Sequence, residues 1–305
     1  MAADVVIEAF GCDLPAAYLQ AMARRARPPV WINLEYLSAE AWVEDCHALA
    51  SPQAQLPLTR HFFFPGFSAR TGGLLRERGL LDARAAFAAD AAAQAAYWQG
   101  LGVPARAAGE LRVSLFAYEN PAVADLLAAW AASPAPVLCL VPEGRVLPQV
   151  AAFFSAIAPV PGTRLARGNL TVQVLPFTDQ PGYDRLLWAC DWNFVRGEDS
   201  FVRAQWAARP FVWQIYPQSD AAHHAKLLAF WQRYSQGLAP AAAAALEDWW
   251  RGWNGVAPAD WAGGWARLIQ AGPALAAHAG QWAARSGARA DLAAQLVEFA
   301  AKVKK

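Results

Sequence analysis

The sequence predicts an α/β protein of two domains, each a mainly parallel sheet wrapped by helices. Three observations carry this. Short apolar strand runs alternate with helical stripes from residue 111 onward, as repeated βα units require. Two strand runs, Val5–Phe10 and Val30–Leu34, mark the earlier part as α/β too. The chain of 305 residues is 56% hydrophobic and 17% charged, enough apolar surface for two cores.

The elements follow in order. Leu111–Tyr118 (LRVSLFAY) reads as a strand and Pro121–Trp130 as the helix after it. Val137–Val141 is short and wholly apolar, as a buried parallel strand is. Leu170–Leu175 alternates and breaks at Pro176, and Tyr183, Leu186, Leu187 and Cys190 then fall on one helical stripe. Trp192–Val195 is a strand, Ser200–Ala208 a helix and Phe211–Tyr216 a strand. His224, Leu227, Leu228, Trp231 and Tyr234 trace the face of a longer helix. Beyond about residue 238 the chain is Ala-rich, and Trp249, Trp253, Trp261 and Trp265 form i, i+4 pairs that read as core packing between helices. The domains are placed at 1–107 and 108–280. The first supplies few strands for a doubly wound domain, so it is expected to be incomplete, a βαβ unit being roughly 30 residues; the alternative is a small domain that begins on a strand.

Charge and composition exclude several classes. A formal net charge of +1 removes the electrostatic case for nucleic acid or an anionic membrane. No apolar run reaches the ~18 residues of a membrane span, and the start carries Asp4 and Glu8 but no basic cluster. Cys12, Cys46, Cys139 and Cys190 are too widely spaced for a zinc site and read as reduced, mostly buried thiols, which implies a cytoplasmic location. No DxD pair or phosphate-binding Gly-Lys-Ser/Thr loop is present. The His223-His224 pair lacks an i+4 partner and reads as packed or solvated. No metal or cofactor is expected.

The segment with most chemistry is Leu175–Gln218. At its centre Arg196, Gly197, Glu198, Asp199 and Ser200 join a strand to a helix, where free backbone N–H groups meet the positive end of the helix dipole. Gly197 allows close approach of a phosphate, and Ser200 is a natural N-cap. The carboxylates would stabilise the helix start without any ligand, and they repel a diphosphate unless Arg196 and the backbone offset them. Phe116 with Tyr118 ends the first strand of this half, and Phe177 with Gln180 follows a later one; in a parallel sheet the carboxyl ends of strands form the crevice. Two aromatics there suit a nucleobase and Gln180 its edge, with Tyr216 on the same rim; core packing is the bland alternative. In the first part Trp31–Glu40 (WINLEYLSAE), Phe62–Phe67 (FFFPGF) and Thr71–Glu77 (TGGLLRE) read as scaffold loops that could face an acceptor protein.

INLEYLSAE at Ile32–Glu40, FFFPGF, TGGLLRE, FVRGEDSFVRAQWA at Phe194–Ala207 and WQIYPQ at Trp213–Gln218 together resemble the EarP family, the arginine rhamnosyltransferases of elongation factor P. The resemblance implies the GT-B architecture, two Rossmann-like domains facing across a cleft, with a last helix, 281–305, crossing back to the first. It implies dTDP-rhamnose as donor, one arginine of elongation factor P as acceptor, and metal-independent transfer with inversion. Phe116, Tyr118, Phe177 and Gln180 match the thymidine side; Arg196, Gly197, Glu198, Asp199 and Ser200, with Tyr216 nearby, match the diphosphate and sugar contacts. Glu198 is the catalytic candidate. The resemblance makes the aspartates of an Asp-Asn-Tyr-Gly-Asp-like turn the family's catalytic base and acceptor contacts; that turn has no counterpart here, so the chain is expected to bind donor better than it turns over. Another GT-B transferase and a catalytically silent binding module are the alternatives.

Overall fold

The computed structural model describes residues 3–218 and 221–304. The chain opens with β1 (Val5–Ala9), α1 (Ala16–Ala23), β2 (Val30–Leu34), α2 (Val43–Cys46), β3 (Ala50–Pro52) and β4 (Thr59–Phe63). It continues through α3 (Leu80–Ala89), α4 (Ala91–Gly100), β5 (Leu111–Leu115), α5 (Val123–Ala131), β6 (Val137–Pro142), α6 (Leu147–Phe153) and β7 (Arg164–Arg167). Then come β8 (Leu170–Leu175), α7 (Gln180–Ala189), β9 (Trp192–Arg196), α8 (Asp199–Ala207) and β10 (Phe211–Gln214). The rest is helical: α9 (Ala222–Tyr234), α10 (Pro240–Trp253), α11 (Trp261–Gly287) and α12 (Leu292–Val303). Among the described residues no helix is long and apolar enough to cross a membrane.

Two compact units emerge. The first holds the chain up to Arg78, Ala225–Arg233 and the segment from Ser286; the second holds Gly79–His224 and Tyr234–Arg285. The division therefore falls about thirty residues before the expected 107/108 boundary. The reason is specific bonding: α3, α4 and the loop after them are tied to the second unit. Tyr97 donates to the Gly182 carbonyl (2.9 Å), and Gln173 donates to that of Leu101 (3.1 Å). Arg112, 1% exposed on β5, donates to Glu110 and to the Pro104 carbonyl and lies 4.6 Å from the Trp98 ring centroid. A buried guanidinium needs that full set of partners.

In the first unit β1, β2 and β4 are parallel neighbours and β3 pairs antiparallel with β4 at the edge. Val30, Ile32 and Phe63 form a core with Leu292 and Ala300 of α12, and the Leu292 N–H donates to the Leu74 carbonyl. The returning helix is thus α12, capped by Asp291; residues 281–287 belong to α11.

In the second unit the strand order is β10-β9-β5-β6-β8-β7, with only β7 antiparallel. The chain starts in mid-sheet at β5, steps outward through β6 and β8, and returns to the other side of β5 for β9 and β10. This is the doubly wound order, and its switch point lies between β5 and β9. The expected strands are present, nearly continuous in burial as in a sheet covered on both faces. The expected strands from Leu111 and Phe211 end earlier, at Leu115 and Gln214, which leaves Phe116–Tyr118 and Tyr216 as loop. Trp249, Trp253 and Trp265 are at most 1% exposed and pack with Trp130 around Phe194, so three of the four expected tryptophans are core, while Trp261 is half-buried and meets Trp249 and Trp253 edge-on.

On α9 the buried histidine is His223, not the expected His224. Its Nδ1 accepts from the Gln218 N–H, while the half-buried His224 contacts the Asn254 carbonyl. Two of the four cysteines, Cys139 and Cys190, are buried; Cys46 is half-buried and Cys12 exposed. His278 of α11 contacts the Tyr234 carbonyl at 2.6 Å. Burial above all, with the Arg285 charge, holds this imidazole below its ordinary value, the Tyr234 bond acting the other way. A depressed histidine favours the neutral folded state, so its contribution is complete above pH ~6.5 and is lost as pH falls below that value. Thermal midpoints measured from pH 7 to 5 are expected to fall more steeply for the wild type than for His278→Gln.

Candidate functional site

The carboxyl ends of β5 and β9 build the site at the switch point. Directly after β5 come Phe116 and Tyr118, half-buried, and β9 ends on Arg196. The Phe116 N–H donates to the Phe194 carbonyl (3.0 Å), which locks the two strand ends together. The Arg196 guanidinium carbon lies 4.4 Å from the Phe116 ring centroid and 4.5 Å from that of Tyr118. Two ring faces thus hold one cation in place, so little rotamer freedom remains to be lost when the fork meets an anion. Its Nε is buried with no hydrogen-bond partner, an orphan donor at the crevice.

Gly197 makes the turn. Its φ is +65°, a left-handed conformation that glycine adopts freely, and a Cβ there would lie 2.9 Å from the Tyr118 hydroxyl. Its N–H donates to the Gln214 carbonyl (3.1 Å) and its carbonyl accepts from Trp213 Nε1 (2.6 Å). Helix α8 then begins at Asp199 with Glu198 as its N-cap residue. Ser200, expected as the cap, is the second residue of the helix, because the glycine turn brings the chain into helical geometry two residues earlier. No side chain caps α8, so its first-turn N–H groups face outward with the positive end of the dipole. Glu198 is part-exposed and Asp199 exposed.

Phe177, beyond β8, is 84% exposed, and its N–H donates to Glu143 Oε2 (3.2 Å). Gln180 is exposed at the first position of α7, whose start is fixed by Asp179 accepting from the Gly182 N–H. Tyr216 is 60% exposed and meets Tyr118 edge-on at 5.5 Å; the Asn254 side chain anchors its strand by accepting from the Ile215 N–H.

Four contributors escaped the sequence reading. Tyr183 meets Phe116 edge-on (5.5 Å). Its hydroxyl is buried without a hydrogen-bond partner among the described residues, and that burial holds it above the ordinary range. Glu143, just beyond β6, supports Phe177; Gln214 Oε1 accepts from the Tyr118 N–H (2.8 Å); Arg145 lies 6.0 Å from the Tyr118 centroid. Glu143 was findable as the residue past a strand already read. The other three sit in runs that read as packing or loop.

In the first unit the three textured segments converge. The Ser38 N–H donates to the Pro65 carbonyl, and the Gly72 N–H to that of Phe64 (2.7 Å). A Cβ on Gly72 would lie 2.2 Å from the Phe63 ring, so glycine is required by packing. FFFPGF and TGGLLRE therefore brace each other, while Glu35 and Tyr36 remain accessible.

Two Rossmann-like units, one with a cation-lined crevice at its switch point, are the architecture of a glycosyltransferase of the GT-B type. The chain belongs to the EarP family, whose model, described as elongation-factor P (EF-P) rhamnosyltransferase, matches residues 1–301. It is 52% identical to a protein-arginine rhamnosyltransferase of Pseudomonas putida over 297 residues, 97% of this chain and 78% of that protein. The Pseudomonas aeruginosa protein of the same name is also 52% identical, over 98% of this chain and 78% of its own length. A solved structure described as the structural basis for EarP-mediated arginine glycosylation of translation elongation factor EF-P is 41% identical, with a TM-score of 0.73, covering 94% of this chain and 81% of that one.

Proposed function

We propose that this glycosyltransferase moves rhamnose from dTDP-rhamnose to an arginine of elongation factor P, with inversion and without a metal. The observation that carries the reading is Arg196, held between Phe116 and Tyr118 beside the left-handed Gly197 at the switch point. In this reading the Arg196 fork and the N–H groups of Asp199 and Ser200 hold the diphosphate, a charge-assisted arrangement. Phe116 and the exposed Phe177 flank the thymine and Gln180 reads its edge, with Tyr118 and Tyr216 on the rim. The diphosphate leaves with its charge held by Arg196 and the helix start, so no metal is required to offset it. Glu198 accepts the proton from the attacking guanidinium nitrogen.

Mass spectrometry of elongation factor P incubated with the chain and dTDP-rhamnose tests the transfer: a gain of one deoxyhexose on an arginine is expected, and an unmodified acceptor at enzyme excess overturns the reading. For the binding half, Phe177→Ala is expected to weaken dTDP-rhamnose by ~1–2 kcal/mol, about tenfold, in calorimetry. An unchanged affinity removes Phe177 from the site.

A further inference from the structure

We infer that the carboxyl edge of β1 and β2 forms a second binding site, which takes a guanidinium of the acceptor protein on the rings of Phe10 and Tyr36 and the carboxylate of Glu35. The inference rests on the functional reading above, which makes the acceptor an arginine-bearing protein. The donor crevice uses none of these residues.

Phe10 follows β1 immediately and has a φ of +61°, a conformation bulky L residues rarely adopt. It is held there by its N–H to the Leu34 carbonyl (2.8 Å) and by the Gly11 N–H to Asn33 Oδ1 (3.2 Å). Its ring is nonetheless 49% exposed, stacked at 4.4 Å on Tyr36, itself 52% exposed. A strained backbone that displays an aromatic ring to water gains little by burial, and such strain gathers at functional sites. Beside the pair, the buried Asn33 donates from Nδ2 to Glu35 Oε1 (2.6 Å), and the Glu35 N–H is fixed to the Phe63 carbonyl. The carboxylate is thereby aimed, part-exposed, and has no ion-pair partner among the described residues.

Planar cations stack on aromatic faces and pair with carboxylates, and the guanidinium does both at once. Lys226 Nζ, 5.9 Å from the Tyr36 centroid, is a cation of the chain itself already drawn to this stack. The neighbouring carboxylate, Glu8, is a different case: it is buried and satisfied by Trp31 and Arg60, so it offers nothing to a ligand. Stacked rings also suit a sugar, but a sugar hydroxyl would tolerate glutamine at position 35, whereas a guanidinium needs the charge.

The test is calorimetric titration of elongation factor P and, separately, of dTDP-rhamnose into wild type, Glu35→Gln and Phe10→Gly. Both variants are expected to weaken elongation factor P about tenfold or more and leave dTDP-rhamnose within about twofold. Phe10→Gly should keep or raise the melting midpoint, since glycine relieves the left-handed strain. A lowered midpoint would make the ring pair a structural stack and overturn the inference. So would unchanged elongation factor P affinity in Glu35→Gln. If the wild type binds neither ligand, the functional reading fails and takes this site with it; wild-type binding with unaffected variants removes this site alone.

Discussion

Glu198→Gln is expected to lower kcat on elongation factor P by about 100- to 10,000-fold, far more than it weakens dTDP-rhamnose. An arginine guanidinium, with a pKa above ~12, is a poor nucleophile until a carboxylate orients it and removes a proton. In the proposed transfer Glu198 is that carboxylate; it follows the Gly197 turn as the N-cap residue of α8. Glutamine keeps the size and the hydrogen-bonding reach of glutamate but cannot take the proton. Single-turnover mass spectrometry gives kcat and calorimetry gives donor affinity. Weakened donor with unchanged kcat would make Glu198 a donor contact and leave the base to be found elsewhere.

Asp184→Ala is expected to destabilise the second unit by ~3–5 kcal/mol, because it leaves the Arg203 guanidinium buried without its counter-ion. Arg203 Nε donates to Asp184 Oδ1 at 2.7 Å and its Nη2 to Oδ2, and both side chains are about 5% exposed. The pair joins α7, whose start carries Gln180, to α8, whose start follows Gly197. At the usual scaling this is a drop of roughly 6–20 °C in the melting midpoint, readable by scanning calorimetry. The double replacement Asp184→Leu with Arg203→Met should recover most of the loss, since two apolar groups leave no unpaired charge. Equal losses in single and double variants would show that packing, not charge, holds the two helices.

Strands β2 and β6 were legible as short, mainly apolar runs, β8 as an alternating run that breaks at Pro176, and α7 because its apolar residues recur at helical spacing. The Arg196–Ser200 turn was legible from its glycine. Local chemistry failed at two points for one reason: it sees neighbours in sequence only. Ser200 is a good capping residue, but the left-handed Gly197 starts the helix sooner. His224 lies on the apolar stripe, yet His223 is buried because a backbone N–H at Gln218 bonds it.

By itself the sequence determined the α/β class, the family and the segment that carries the crevice, since periodicity, composition and short motifs are local properties of the chain. Tertiary structure alone decided that β9 returns beside β5, and hence that Arg196 meets Phe116 and Tyr118, some eighty residues earlier. It also decided that Glu143 supports Phe177, that Arg203 finds Asp184, and that Phe10 stacks on Tyr36. Strand order is set by which long-range pairings bury the most apolar surface and satisfy the most backbone groups, and no local window of residues contains that comparison.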